Sequence, residues 1–245
     1  MNLVLYNYAH HIAMNHYYKI ADLTVEMDTF GRTLDQAKPY AIPPVDKADV
    51  SIKCDWERFK EKHPELSEET CEYIFTASAF YKSLILFDGI MLHSSAVVVD
   101  GKAYLFTAPC GTGKSTHTQL WLKKFGDRAF ILNDDKPALR LEDGKFYAYG
   151  TPWSGKHDIS VNCRAELGGI CILSRGEVNK IERIKGKDAI IGIYSQTLRI
   201  KDVAYFDKIL SLIDKLIERV GVWRLECNMD LEAAEISYRA MSAKV

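Results

Sequence analysis

Between residues 92 and 150 short apolar runs alternate with turn residues in a regular way. The segments AVVV (96–99) and AYLF (103–106) flank Asp100-Gly101. Both positions of a two-residue Asp-Gly turn need φ > 0, so this pattern predicts a tight β-hairpin. A helical run, STHTQLWLKKF, comes after residue 114, and then a short apolar strand, AFIL, runs into Asn133-Asp134-Asp135. A second hairpin is predicted from PALRLE and KFYAYG about Asp143-Gly144. LGGICIL (167–173) and IERI (181–184) read as strands. Phe206, Ile209, Leu210, Ile213, Leu216, Ile217 and Val220 repeat at three and four and predict a helix, with a last helix after Asp230. Upstream, a capped start at Ser67 opens a helix with Tyr73, Ile74, Ala77, Phe80, Tyr81 and Leu84 on its apolar face, ending near Gly89. Residues 1–66 are mixed and read as a small, mostly extended lobe, which leaves 67–245 as the main domain.

Composition narrows the class. The chain has 245 residues, 47% of them apolar and 27% charged, which is enough to build one packed core. Lys and Arg number 32 against 33 Asp and Glu, so no basic excess points to nucleic acid or to an anionic membrane. No apolar run reaches the ~18 residues of a membrane span, and the first residues do not read as a signal peptide. The six cysteines are scattered without metal-ligand spacing. They read as reduced thiols, and the chain as cytoplasmic.

The candidate chemistry lies between the first hairpin and the second. Gly111-Thr112-Gly113-Lys114-Ser115 stands between a predicted strand and a predicted helix, the setting a phosphate-binding loop requires. Glycines let successive N–H groups turn toward phosphate oxygens, and the helix N-terminus adds partial positive charge. Lys114 would reach the outer phosphates and Ser115 would ligate Mg²⁺. Cys110 and Thr116 complete the loop. The common pattern has glycine where this chain has Ala108.

Hairpin register extends this set. If Val99 faces Lys102, continuing the count puts His93 opposite Ala108, beside the loop. The Asp134-Asp135 pair ends a strand expected to emerge at the same sheet edge as the loop, where one acid can hold Mg²⁺ and the other can accept a hydroxyl proton. In an extended strand the two would point to opposite sides. The second hairpin puts Asp135 opposite Pro152, so Trp153, Ser154, Lys156 and His157 lead toward the same place. Lys156 and Arg164 are candidates to balance phosphate charge.

The series LHSSAVVVDGKAYLFTAPCGTGKSTHT, ILNDDKPAL and GTPWSGK resembles the HPr serine kinase/phosphorylase catalytic domain, and more closely its short relatives in the phosphoenolpyruvate-carboxykinase-like superfamily. The resemblance covers about residues 90–175. It implies a mixed-sheet α/β kinase domain and phosphoryl transfer from ATP, with Mg²⁺, to a serine-type hydroxyl. His93, Lys114, Ser115, Asp134 and Asp135 match the family pattern, with Asp135 as base. The family usually carries Gly-Asp-Ser-Gly in the loop and an acid after its serine, where this chain has Ala-Pro-Cys-Gly and Thr116. The metal shell then rests more on Asp134 or Thr116. The acceptor class is a serine-containing peptide, a protein or a small hydroxy compound, and a homo-oligomer is compatible with the family. The competing readings are a nucleotide-sensing or peptide-binding module without catalysis, and a carboxykinase-like phosphotransfer enzyme.

Overall fold

The computed structural model describes residues 16–243. Its strands are β1 (His16–Ile20), β2 (Leu23–Met27), β3 (Ala41–Ile42), β4 (Val50–Ile52), β5 (Gly89–Met91), β6 (Ser94–Val99), β7 (Lys102–Thr107), β8 (Ala129–Asn133), β9 (Ala138–Glu142), β10 (Lys145–Tyr149), β11 (Arg164–Arg175), β12 (Lys180–Ile184) and β13 (Val222–Cys227). Its helices are α1 (Gly31–Ala37), α2 (Trp56–Lys62), α3 (Glu68–Leu84), α4 (Lys114–Phe125), α5 (Gly186–Tyr194), α6 (Val203–Arg219) and α7 (Leu231–Ser242).

Both hairpins form in the expected register. Val99 pairs with Lys102 and Glu142 with Lys145, with Asp100 and Asp143 at φ 51° and 47°. The main sheet runs β5-β9-β10-β11-β7-β6-β8, and β13 and β12 continue it beside the C-terminal half of β11. Strand β6 is antiparallel to both β7 and β8, so those two run parallel and end at the same edge.

The central strands are buried on both faces, which explains their uninterrupted apolar runs. Alternation still sorts the side chains. Ala96, Val98, Ala103 and Leu105 pack with Ile193, Ile209 and Leu212 of α5 and α6. Val97, Val99, Tyr104 and Phe106 pack with Trp121 of α4 and Ala234 and Met241 of α7. Helix α4 is thereby held against the strands that flank its own N-terminus.

The N-terminal segment is less extended than its sequence suggests. It makes a four-stranded sheet, β3-β1-β2-β4, together with helices α1 and α2. The stretch Asp55 to His63 is α2, whose polarity reflects an element with no fully buried residue. Helix α3 starts as expected, with Ser67 accepting from the Thr70 N–H at 3.2 Å. It ends at Leu84, five residues before Gly89, because a 3₁₀ turn and a left-handed Asp88 (φ 54°) redirect the chain into β5. Its buried face, Tyr73, Ala77, Phe80 and Tyr81, shares one cluster with Tyr18, Val25 and Val50 of the small sheet, with Tyr149 of the main one and with Trp153 in the loop after β10. All six cysteines are free thiols, and among the described residues no helix is long and apolar enough to cross a membrane.

Candidate functional site

The loop between β7 and α4 begins at Ala108, which is 1% exposed. Ala108 is absent from the positive-φ residues, so the loop entry does not require glycine there. Gly111 (φ 77°) and Gly113 (φ 124°) do need glycine. A Cβ on either would meet no atom within 4 Å, so the requirement is conformational rather than steric. Gly113 is the N-cap of α4, whose first helical bond runs from the His117 N–H to the Gly113 carbonyl at 2.9 Å. The N–H groups of the first turn are left without intrahelical acceptors.

Lys114 is buried, and its Nζ donates to the Ala108 carbonyl across the loop at 3.0 Å. Burial lowers its pKa. Arg175, the last residue of β11, holds the loop from outside: Nε donates to the Thr112 carbonyl at 3.1 Å and Nη2 to the Gly111 carbonyl at 2.5 Å. In a trans peptide the carbonyl and the following N–H point oppositely. Anchoring the Thr112 carbonyl therefore turns the Gly113 N–H away from Arg175.

The acidic pair is shaped by Asn133. Its buried Oδ1 accepts from the N–H groups of Asp135 (3.0 Å) and Lys136 (2.7 Å), while Nδ2 donates to the Thr151 carbonyl at 3.0 Å. This side-chain turn ends β8 at Asn133. The two aspartates are separated by the turn and not by strand pleating. Asp134 Oδ1 accepts from Ser95 Oγ at 2.6 Å, and Ser95 Oγ lies 2.8 Å from Thr118 Oγ1, which reaches the Ser115 carbonyl at 3.1 Å. Asp134 is thus tied to the first turn of α4.

Asp135 faces the other way. His93 Nε2 lies 3.3 Å from its Oδ1, and Lys136 Nζ pairs with its Oδ2. The His93 ring is set by Gln196, with Nδ1 at 3.2 Å from Oε1, and the His93 N–H donates to the Gln196 carbonyl at 2.8 Å. Burial alone would raise the Asp135 pKa, but the His93 hydrogen bond and the Lys136 charge outweigh it and hold the carboxyl below the usual aspartate value.

The small sheet's helix α1 also reaches this corner. Arg32 donates to the Gly155 carbonyl and stacks 4.2 Å over the Tyr73 ring, Gln36 Nε2 reaches the same carbonyl at 3.3 Å, and the Gly155 N–H donates to Tyr73 Oη at 3.2 Å. Gly155 is held so close to Asp135 that a Cβ would come within 2.9 Å of the aspartate Cβ. Lys156 follows as an exposed residue.

The sequence-derived residues are therefore not all together. His93, Asp134, Asp135, Lys114, Ser115 and the rest of the loop meet at one edge, and exposed Lys156 directly follows the Gly155 that abuts Asp135. Arg164 is a correction: it opens β11, at the end opposite Arg175, where it binds Asp22 (3.0 Å) and Glu142 (2.6 Å) and lies over Tyr147. Trp153 is a packing residue, stacked on Phe80 at 5.0 Å and donating to Thr76 Oγ1 at 3.2 Å. Sequence reasoning missed Ser95, Lys136, Gln196, Arg175 and Arg32. Lys136 had a signal in its adjacency to the acids, and Arg175 in ending the strand parallel to β7. Gln196 and Arg32 had none, because both arrive from distant segments.

No family model matches the chain, and no curated protein matches it. Among solved structures, the chain is similar to the Hpr(Ser) kinase/phosphatase from Coxiella burnetii, over 52% of this chain and 97% of that one, at 16% identity and a TM-score of 0.31.

Proposed function

We propose that this protein is an ATP- and Mg²⁺-dependent kinase that transfers the γ-phosphoryl group to a serine-type hydroxyl of a peptide, a protein or a small molecule. One observation carries the reading: the Asp135 carboxylate, held by His93 and Lys136, stands at the same sheet edge as a glycine-bent loop running into the free N-terminus of α4. Phosphate oxygens on the loop amides and Lys114 would place the γ-phosphoryl group toward the acids.

The metal's fit rests on the donor set. Asp134 keeps Oδ2 without a hydrogen-bond partner among the described residues while Ser95 occupies Oδ1, and the Ser115 hydroxyl and Thr116 add hard oxygen donors of the kind Mg²⁺ prefers. When bound, Mg²⁺ neutralises charge on the transferring phosphoryl group. The chain's own residues supply the rest. An acceptor hydroxyl beside Asp135 gives its proton to the carboxylate as the oxygen bonds to phosphorus and ADP departs. With Nε2–H donated to Asp135 Oδ1, His93 orients the carboxylate, and Gln196 holds the ring from the Nδ1 side. The lowered pKa keeps Asp135 ionised and ready to orient the hydroxyl. Lys156, next to Gly155, is suited to offset charge on the incoming acceptor.

The test is transfer of γ-labelled phosphate from Mg-ATP into free serine, a serine-containing peptide pool and a bacterial lysate, with Asp135→Asn alongside. Label on a serine hydroxyl with the wild type alone supports the kinase. Tight ATP binding with no transfer to any pool, unchanged by Asp135→Asn, supports a nucleotide-sensing module in its place.

A further inference from the structure

A cavity of about 390 Å³ lies against the loop on the side away from the acids. The strand order explains the separation: β6 and β8 lie on one side of β7, and β11 and β13 on the other. Asp134 and Asp135 come directly after β8, whereas the cavity is walled by Leu173 near the end of β11, by the turn after β13 that carries Met229, and by Thr116, His117 and Leu120 of α4. It also includes Thr112 and Gly113 of the loop itself. A ligand with phosphates on the loop and its reacting end toward Asp135 would have its other end here.

The lining mixes apolar side chains with polar ones, Arg175 and Asn228 among them, and the volume falls in the ~300–1,000 Å³ range of small-molecule sites. Leu120 and Leu173 form walls, and Met229, 73% exposed, is an adaptable apolar lip. His117 is 3% exposed and forms part of the same wall. Its Nε2 accepts from the Trp121 indole N–H at 3.2 Å. The indole N–H is shared with Ser237 Oγ at 3.1 Å, and His117 Nε2 lies 3.3 Å from that same oxygen, so the polar contacts of this ring all lie on its Nε2 side. That Nδ1 is buried without a hydrogen-bond partner among the described residues. An unpaired buried polar nitrogen is costly, and a polar atom brought against this wall would relieve it.

We infer that this cavity holds the nucleoside of the phosphate donor, its planar base between Leu120, Leu173 and Met229 and a polar atom of the base or sugar turned toward the His117 wall. The inference rests on the phosphate-loop reading and adds to it the residues that select a nucleotide over a bare polyphosphate.

Equilibrium binding of ATP and of inorganic tripolyphosphate separates the two ideas. Wild type is expected to prefer ATP. Leu120→Trp, which fills the cavity, should lose about tenfold or more in ATP affinity and leave tripolyphosphate binding unchanged, and Met229→Ala, at an exposed position, should lose less in the same direction. Retained tripolyphosphate binding reports an intact fold and loop in each variant. Equal wild-type affinity for ATP and tripolyphosphate, or an ATP preference untouched by both substitutions, overturns the nucleoside assignment alone. Failure of the wild type to bind either ligand overturns the phosphate-loop reading, and the cavity assignment with it.

Discussion

His93 Nε2 lies 3.3 Å from Asp135 Oδ1, and the same imidazole is fixed through Nδ1 by Gln196 at 3.2 Å. The residue just before β6, the turn after β8 and the segment after α5 thus converge on one carboxylate.

On this geometry Asp135→Asn should keep the fold and ATP binding while phosphate transfer falls by about 10²–10⁴-fold, the usual contribution of a positioned acid or base. Single-turnover transfer rates and ATP binding on the same preparation check this. Transfer near the wild-type rate would remove Asp135 from the base role. His93→Gln should have a smaller effect of the same kind.

The loop makes different predictions at its two ends. Gly113→Ala places a Cβ at φ 124° and should strain the loop by about 1–3 kcal/mol, lowering ATP affinity. Ala108→Gly brings the loop closer to the common pattern but should bring no gain in affinity, because Ala108 has no left-handed backbone to relieve. It should cost about 0.4–1 kcal/mol through the unfolded chain. Paired melting and ATP-binding curves separate the two effects.

Arg32 holds Gly155, and Gly155 abuts Asp135. Arg32→Ala is expected to raise KM for the hydroxyl acceptor while KM for ATP stays constant, since among the described residues Arg32 contacts Gly155 and Tyr73 and not the loop. Equal rises in both constants would show that the small lobe acts on the whole site.

Glu72 predicts a pH dependence of stability. It is fully buried, its Oε2 accepts from Thr33, and its Oε1 has no hydrogen-bond partner among the described residues. Burial pushes its pKa from 4.5 to about 7, with Asp28 and Glu69 adding to the rise against the hydrogen bonds from Thr33 and Phe30. Between these two values the folded state keeps a proton that the unfolded chain has released. Stability therefore falls as pH rises from 4.5 to about 7 and levels off above it. Glu72→Gln should be more stable than wild type at pH 8 by on the order of a few kcal/mol and be nearly equal at pH 4.5. Parallel melting curves of the two proteins at pH 8 would sink this if the difference vanished.

Local chemistry made much of the main sheet legible. Each Asp-Gly pair fixed a hairpin and its register, because few other residue pairs accept left-handed backbone at both turn positions. Ser67 announced its helix through a cap that depends only on residues three apart. The pairing of Ser94 with Thr107, the residues next to His93 and Ala108, was then arithmetic from Val99 and Lys102.

Closure over long separations was not legible. The polar α2 and the short α1 lack a clear apolar period, so the small lobe read as extended. Arg164 and Arg175 look alike as strand-end arginines, and only the parallel pairing of β11 with β7 decides which one meets the loop.

The sequence by itself determined the two hairpins, the glycine-bent loop and the adjacency of the acids, because turn sterics and side-chain periodicity act within a few residues. The tertiary structure decided the partners: Ser95 for Asp134, His93 and Lys136 for Asp135, Arg175 for the loop and Arg32 for Gly155. Those contacts depend on which strands become neighbours, and burial of apolar faces across the whole chain settles that order.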